Sequence, residues 1–389
     1  MTRPQAQRSI PSADDLVFRA ESLIPFLRER AKDADHKGEF TAEAIQQLRK
    51  AGFFRILQPA RFGGYGLPPS TLWSVTRQLG RGCGSTAFII SLLAVHSWIV
   101  GMFTAAAQQD VFEQHPEAIV ANLSIGVRRQ INSAVTNDGY IVSGVWDFAS
   151  GIDFADWAIV AISVPKADGS MEERIALVPQ LEFVIDADSW TMVGARATGS
   201  KRVSLSDTLI PFYRTVAWAD VESGCYPGLE VDSGPLYQRT CGGSILVLSS
   251  AAPVVAIASA MIDHFIEEAA LRKSNQQWFA IELGRSASQI HMAHVLLLRD
   301  ADEVYEAGIN KRDLSLEVQA RHRADAAIIA HTALAAAETL ARALGGSVLR
   351  AGHPIERLLR DIHAVATHYR VQPEPACELY GKVLLEGEV

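Results

Sequence analysis

Cysteine is scarce in this chain: four residues in 389, at positions 83, 225, 241 and 377, with no CxxC pair. That spacing excludes a disulfide-stapled secreted scaffold and a zinc site, and it fits a reducing cytoplasm. Positive charge is also in deficit. Lys and Arg number 36 against 44 Asp and Glu, a net charge of −8, which argues against a nucleic-acid or anionic-membrane partner. There is no GxSxG elbow, and nothing marks a nucleophilic Ser or Cys. None of the 11 histidines has a glutamate three residues before it, so a di-iron bundle of the Glu-x-x-His type is excluded. Two glycine-rich stretches fail as nucleotide fingerprints. GRGCGS (80–85) lies between helical patterns and follows no strand, and in GARATGSK (194–201) Ser200 precedes Lys201, the reverse of a P-loop. His291 and His294 lie three apart on a helical pattern with Asp300 and Glu303 following, a conceivable metal site; surface or interface histidines are the preferred reading, and no metal is expected.

What is present is a large apolar inventory, 48% of the chain, enough for a sizeable core built in two or three units. The first thirty residues are polar and amphipathic, so no signal peptide is expected. Two charge-free runs, 87–107 and 244–262, approach the length of a membrane span. The first carries His96 and Ser97, the second Pro253, and neither has a basic flank, so both read as buried helices and no membrane is expected.

Periodicity divides the chain into three. Apolar residues recur at helical spacing through 12–31, 41–51, 69–79 and 85–101, which predicts an N-terminal helical domain over 1–118. Short β-branched or alternating runs follow, RQINSAV, GYIVSGVW, WAIVAISV, ERIALVP and KRVSLSD, with turns at Asn137-Asp138-Gly139 and Ala167-Asp168-Gly169. They predict a mainly antiparallel β domain over 119–222. Helical patterns return at 244–272, 285–308, 316–344 and 355–370, a C-terminal bundle within 223–389.

Two short stretches could carry chemistry. In GVWDFASGIDFADWAIV (144–160) an aromatic-rich strand breaks at Ala149-Ser150-Gly151, where small residues admit a flat ligand and Ser150 offers a hydrogen bond. An ordinary strand-end turn explains the same residues equally well. HAVATH (363–368) sets two histidines five positions apart. On a helix they would point about 140° apart, so at most one of them faces a given site.

The order of domains, together with LGGSVLRAGHPIERLLRD (344–361), GCGSTAF (82–88) and PARFGGYG (59–66), resembles the acyl-CoA dehydrogenase superfamily over nearly the whole chain. The fold implied is α+β: an N-terminal helical domain, a central antiparallel β domain and a C-terminal four-helix bundle, with a flavin ring between the last two. The catalytic glutamate of the dehydrogenases, commonly just after the RD pair, is missing. The segment reads Thr367-His368-Tyr369, with no carboxylate before Glu374. GRGCGSTAFIISLLAVHSW, WDFASG and a histidine after RD are more similar to the oxygenase components of two-component flavin-dependent monooxygenases, such as the 4-hydroxyphenylacetate hydroxylases.

That resemblance implies an enzyme that borrows reduced FMN or FAD from a separate NAD(P)H-dependent flavin reductase. It implies formation of a C4a-hydroperoxyflavin from O2 and hydroxylation of a small aromatic substrate, phenolic or indolic. By the same resemblance His368 stands near the peroxide, Ser150 near flavin N5 and His96 at the substrate hydroxyl. Trp146, Phe148, Gly151, Ser124, Thr198 and Ser200 are expected around the flavin, Thr198 and Ser200 as a phosphate cradle, with Ser124 and Trp98 also at the substrate. A cytoplasmic homotetramer is implied. An N- or S-oxygenase of the same fold, an acyl-CoA dehydrogenase and a non-catalytic binding scaffold are the alternatives.

Overall fold

A computed structural model describes residues 10–123, 128–232, 234–237, 241–272 and 276–387. Its helical N-terminal part comprises α1 (Ala13–Lys37), α2 (Ala42–Ala51), α3 (Pro69–Gly82), α4 (Gly84–Val100) and α5 (Ala105–Phe112). Helix α1 begins in a capping box, with Ser12 and Asp15 each bonding the other's backbone N–H, and stops at Gly38 in a left-handed conformation. Helix α4 is apolar on all sides, and every residue except Phe88 is buried. It is the charge-free run of the sequence, and α3, α7 and strand β1 (Val120–Leu123) pack around it.

The β domain adds β2 (Arg128–Val135), β3 (Gly139–Ala149), β4 (Trp157–Pro165), β5 (Met171–Pro179), β6 (Val184–Asp186), β7 (Lys201–Pro211) and β8 (Thr215–Ala217). Two four-stranded sheets result, in the orders β1-β4-β5-β8 and β2-β3-β7-β6. All pairings are antiparallel except β1 with β4, which are parallel and separated in sequence by β2 and β3 of the other sheet. The sheets meet over side chains such as Trp146, whose indole N–H donates to the Ala161 carbonyl at 2.9 Å.

After a short helix α6 (Trp218–Ser223) the chain enters the bundle: α7 (Cys241–Leu271), α8 (Gln276–Ile309), α9 (Leu316–Leu344), α10 (Pro354–Ala366) and α11 (Pro373–Glu386). Helices α7 and α9 are long and apolar enough to cross a membrane, but 89% of the most apolar window of α7 is buried inside the protein. One expectation needs correcting here. The helix expected over 355–370 ends at Ala366, and His368 caps a separate 3-10 turn, Tyr369–Val371. Angular spacing on a helix therefore does not relate His363 to His368.

Candidate active site

A cavity of about 300 Å3 opens where α4, the end of β3, the 190–200 loop, α7 and the turn after α10 converge. Phe88, Leu92, Val95 and His96 supply one wall. Their spacing along α4 is that of a single helical face. Trp98, two residues on and therefore about 200° round the axis, cannot join them. It is fully buried on the other side, its indole N–H donating to the Leu236 carbonyl at 2.8 Å. The expected substrate role of Trp98 is corrected accordingly.

The β3 wall depends on a break in alternation. Val142, Gly144 and Trp146 face the sheet interior, and simple alternation would put Phe148 there too. Instead Phe148 has φ +61°, unusual for a bulky residue, and the β3–β7 register shifts between Trp146 and Ala149. Phe148 swings into the cavity, edge-on to Trp190 with ring centroids 6.1 Å apart. Trp146 stays in the sheet core, so its expected place at the cofactor is also corrected. Gly151 does not line the cavity either. It forms the turn, at φ +73°, and its N–H donates to the Thr198 carbonyl at 2.9 Å. Ser124 lies outside the described residues.

Ser150, Ser200 and Thr198 line the cavity together. Thr198 Oγ1 donates to the Ala195 carbonyl at 2.8 Å and lies 2.7 Å from Ser200 Oγ, which lies 2.8 Å from Ser150 Oγ. Because the Thr198 proton is committed to a carbonyl, the chain has one direction: Ser150 donates to Ser200, and Ser200 to Thr198. Ser150 is left presenting lone pairs. Thr198 and Ser200 thus sit beside Ser150, and the expectation of a separate phosphate cradle gives way to one hydroxyl relay.

The two histidines are complementary. His96 Nδ1 lies 3.0 Å from the Val120 carbonyl, so Nδ1 carries the proton and Nε2 is an acceptor. His368 Nδ1 accepts the Arg370 backbone N–H at 3.3 Å, so the neutral ring carries its proton on Nε2 and is a donor. Burial, with a smaller push from Arg370, takes each imidazole down to about 3. Both rings are therefore neutral at working pH. His363 is more than half exposed and faces Glu338 at 3.3 Å, away from the cavity.

The RD pair, which sequence reasoning used only as a signature, has a physical task. Arg360 bonds both Asp35 oxygens, at 3.1 and 2.8 Å, and the Val193 carbonyl at 2.7 Å. Asp361 is buried and accepts the Ala195 N–H at 2.7 Å, and burial raises its carboxyl to about 6. Together they clamp the 190–200 loop, and with it Thr198, onto α10. The fit is close enough that a Cβ on Gly194 would lie 2.0 Å from the Arg360 carbonyl oxygen.

Away from the cavity, Asp300, Glu303 and His322 bring ligand atoms within 4.8 Å of one another in the bundle. Arg299 and Arg321 are hydrogen-bonded to these carboxylates, and Ser244 lies 2.9 Å from His322 Nδ1, so protein groups already occupy the cluster. Its partner His322 could not be found by sequence spacing, since it comes from the neighbouring helix.

A helical domain, a β domain and a bundle arranged around such a cavity define a protein of the acyl-CoA dehydrogenase fold. Residues 20–113 match the N-terminal domain of the acyl-CoA dehydrogenases and residues 248–373 the C-terminal domain. The chain is 30% identical over 372 residues to the oxygenase subunit HsaA of a flavin-dependent monooxygenase from Rhodococcus jostii (strain RHA1), covering 93% of this chain and 96% of that one. It is 27% identical, over 96% of the relative, to the oxygenase component of an FADH(2)-dependent resorcinol hydroxylase from Rhizobium sp. (strain MTP-10005). The crystal structure of the HsaA monooxygenase from M. tuberculosis superposes with a TM-score of 0.91 at 27% identity, covering 97% of this chain and 98% of that one. The chain belongs to the flavin-dependent monooxygenases of this fold.

Proposed function

We propose that this protein is the oxygenase component of a two-component system that hydroxylates a small phenolic or indolic substrate. Its reduced flavin would come from a separate NAD(P)H-dependent reductase, as the subunit and component names of its relatives suggest for them. The observation that carries the proposal is the direction of the hydroxyl relay. Ser150 offers an acceptor to the cavity, and a reduced isoalloxazine presents an N–H at N5 where the oxidised ring presents a lone pair. The cavity's volume suits a flat tricyclic ring, at the low end for small-molecule sites. FADH2 is the proposed carrier, by the resorcinol hydroxylase relative, with FMNH2 as the competitor in the test.

When bound, the reduced flavin supplies electrons and activates O2. Each remaining task falls to residues of this chain. Ser150 holds the N5 proton in place, with Ser200 and Thr198 fixing its orientation. His368 would offer its Nε2 proton to the cavity where O2 is activated, and its stacking on Tyr369, centroids 4.8 Å apart, holds the ring plane. His96 accepts a hydrogen bond from the substrate's O–H or N–H. Phe88, Leu92, Val95 and Leu246 exclude water from the same space.

Oligomerisation and location are parts of the same proposal. Trp278, Ile281, Met292, Val295, Ile328 and Leu385 are large apolar side chains exposed on α8, α9 and α11. Such a surface favours burial against other copies, and a tetramer is the proposed state. The free cysteines Cys83, Cys225 and Cys377 suit a reducing cytoplasm.

Anaerobic titration of the purified protein with FADH2, FMNH2 and the oxidised flavins tests the core reading. Reduced flavin is expected to bind more tightly than oxidised, and O2-dependent hydroxylation is expected only when a flavin reductase is added. Equal affinity for both redox states would remove the relay argument. Light scattering after size exclusion tests the tetramer.

A further inference from the structure

The buried cluster around His322 joins three long helices of the bundle. Helix α8 brings Arg299, Asp300 and Glu303 to it, and α9 brings Arg321, His322 and Asp325. Among the described residues α7 brings no charge, only the hydroxyl of Ser244. Arg299 Nε donates to Asp300 Oδ1 at 2.9 Å, and its Nη2 to Asp325 at 3.1 Å. Arg321 bonds Glu303 and lies 3.7 Å from Asp325. Three carboxylates therefore face two guanidiniums. His322 does not close the gap, because burial pulls its pKa below the usual value against the attraction of Glu303, and the ring stays neutral. Its Nε2 lies 3.1 Å from Glu303 Oε2 and its Nδ1 2.9 Å from Ser244 Oγ. A carboxylate only accepts, so Nε2 carries the proton and Nδ1 accepts the serine hydroxyl.

The excess charge falls on Asp300. That side chain is fully buried, and no donor of the protein reaches its Oδ2. Glu303 is half-buried; burial pushes its carboxyl up, but the His322 bond and the guanidiniums of Arg321 and Arg299 bring it below its ordinary value. Asp300 goes the other way, to about 6. Burial is the main cause, opposed by its bond to Arg299 and reinforced by the charge of Asp325. An interior carboxylate with one oxygen unbonded is costly, and a proton on it makes the whole cluster neutral.

We infer that Asp300 holds the one proton that neutralises the cluster, and that losing it as the pH rises is a switch that loosens the first turn of α7. While Asp300 is protonated, the His322 N–H has one anion to serve, Glu303. When the proton leaves to solvent the charge stays on the carboxylate. Asp300 Oδ1, 3.9 Å from the same Nε2, then competes for that single N–H. The ring is drawn off its line to Ser244, the residue that ties α7 to the cluster. Ser244 and Leu246 stand two residues apart, about 200° round the helix. One side of this turn is held by the switch, and the other side, through Leu246, walls the cavity.

The test uses the full-length protein as purified and Asp300→Asn, which keeps the shape of the protonated acid and cannot ionise. An infrared titration reads the proton directly. At about pH 5 wild type is expected to show one protonated carboxyl more than Asp300→Asn, a difference gone by about pH 7.5. Asp325→Asn removes a like charge and frees Arg299 for Asp300, so the midpoint should move down. Asp300 binds its proton more tightly folded than unfolded, so it stabilises in acid and that stability is lost as the pH rises to about 6. In urea unfolding, wild type is expected to lose roughly 50-fold in folding equilibrium between pH 4 and 7 relative to Asp300→Asn. Asp361 titrates in the same range but is present in both proteins and cancels. Amide exchange over 244–249, corrected for its intrinsic pH dependence, should quicken across the transition in wild type and not in Asp300→Asn. Equal carboxyl bands in the two proteins at about pH 5 overturn the proton assignment. A band that titrates while exchange over 244–249 stays unmoved overturns the switch.

Discussion

Replacing His368 with leucine removes the Nε2–H that the neutral ring can offer the cavity while keeping a side chain of similar bulk. The structure fixes which form of the ring is available for the proposed role. With the imidazole held near 3, only about one ring in a thousand is protonated at pH 6, so an imidazolium acid is scarce there. The neutral tautomer, with the Arg370 N–H on Nδ1, is the form that the proposed role of His368 uses. One such hydrogen bond unmade costs about 1–3 kcal/mol, roughly ten- to hundredfold in the competition between product and leakage. The assay is hydrogen peroxide released per hydroxylated product, with reductase and substrate saturating, between pH 6 and 8. Wild type is expected to show a flat ratio. His368→Leu is expected to leak roughly ten- to hundredfold more, equally at each pH, and His368→Gln, which retains an amide donor, to fall between. A wild-type ratio that titrates with a midpoint near 6.5 would refute the reasoning, because it would mean the ring charges in the working range.

Thr198→Val removes the group that directs the hydroxyl relay, so Ser150 becomes free to donate, and the preference for reduced over oxidised flavin in anaerobic titration should shrink. Asp361→Ala orphans the Ala195 N–H and loosens the clamped loop. A loss of about 1–3 kcal/mol in urea unfolding is expected, with weaker flavin binding. His96 binds a proton in the unfolded chain near 6.5 but in the folded one only near 3. It therefore lowers stability as pH falls through that window, by about 1.4 kcal/mol per unit. Asp361, raised to about 6, acts in the opposite sense between its unfolded value and 6. Comparing His96→Asn with wild type isolates the histidine, and the variant's stability should fall less steeply between pH 6 and 4. Gly194→Ala should fail to accumulate as folded protein, since the added methyl meets backbone.

Legibility in the sequence followed how local each cause was. Apolar spacing along α4 and the alternating runs of β3, β4 and β7 are set by neighbours in the chain, and they marked the three-part order. The RD pair and the small residues at Ala149-Ser150-Gly151 marked where the site would fall. The missing carboxylate after RD separated oxygenase from dehydrogenase. Helix α11 and the parallel pairing of β1 with β4 went unread, the first for want of a strong pattern. The second arises from elements brought together from a distance.

Residue by residue, the site was decided in three dimensions. Phe148 enters the cavity because of one left-handed backbone angle, and Trp146 is excluded by the alternation that the same angle interrupts. Trp98 has the right company in sequence and the wrong side of the helix. The direction of the Ser150–Ser200–Thr198 relay depends on the Ala195 carbonyl, and the tautomers of His96 and His368 on backbone groups at Val120 and Arg370. Type and period of an element are written in nearest neighbours along the chain. Which way a proton points is settled by backbone geometry: Ala195 and Arg370 stand within three residues of Thr198 and His368, and Val120 is 24 residues from His96, yet only the folded turn or the packed strand brings each within hydrogen-bonding reach.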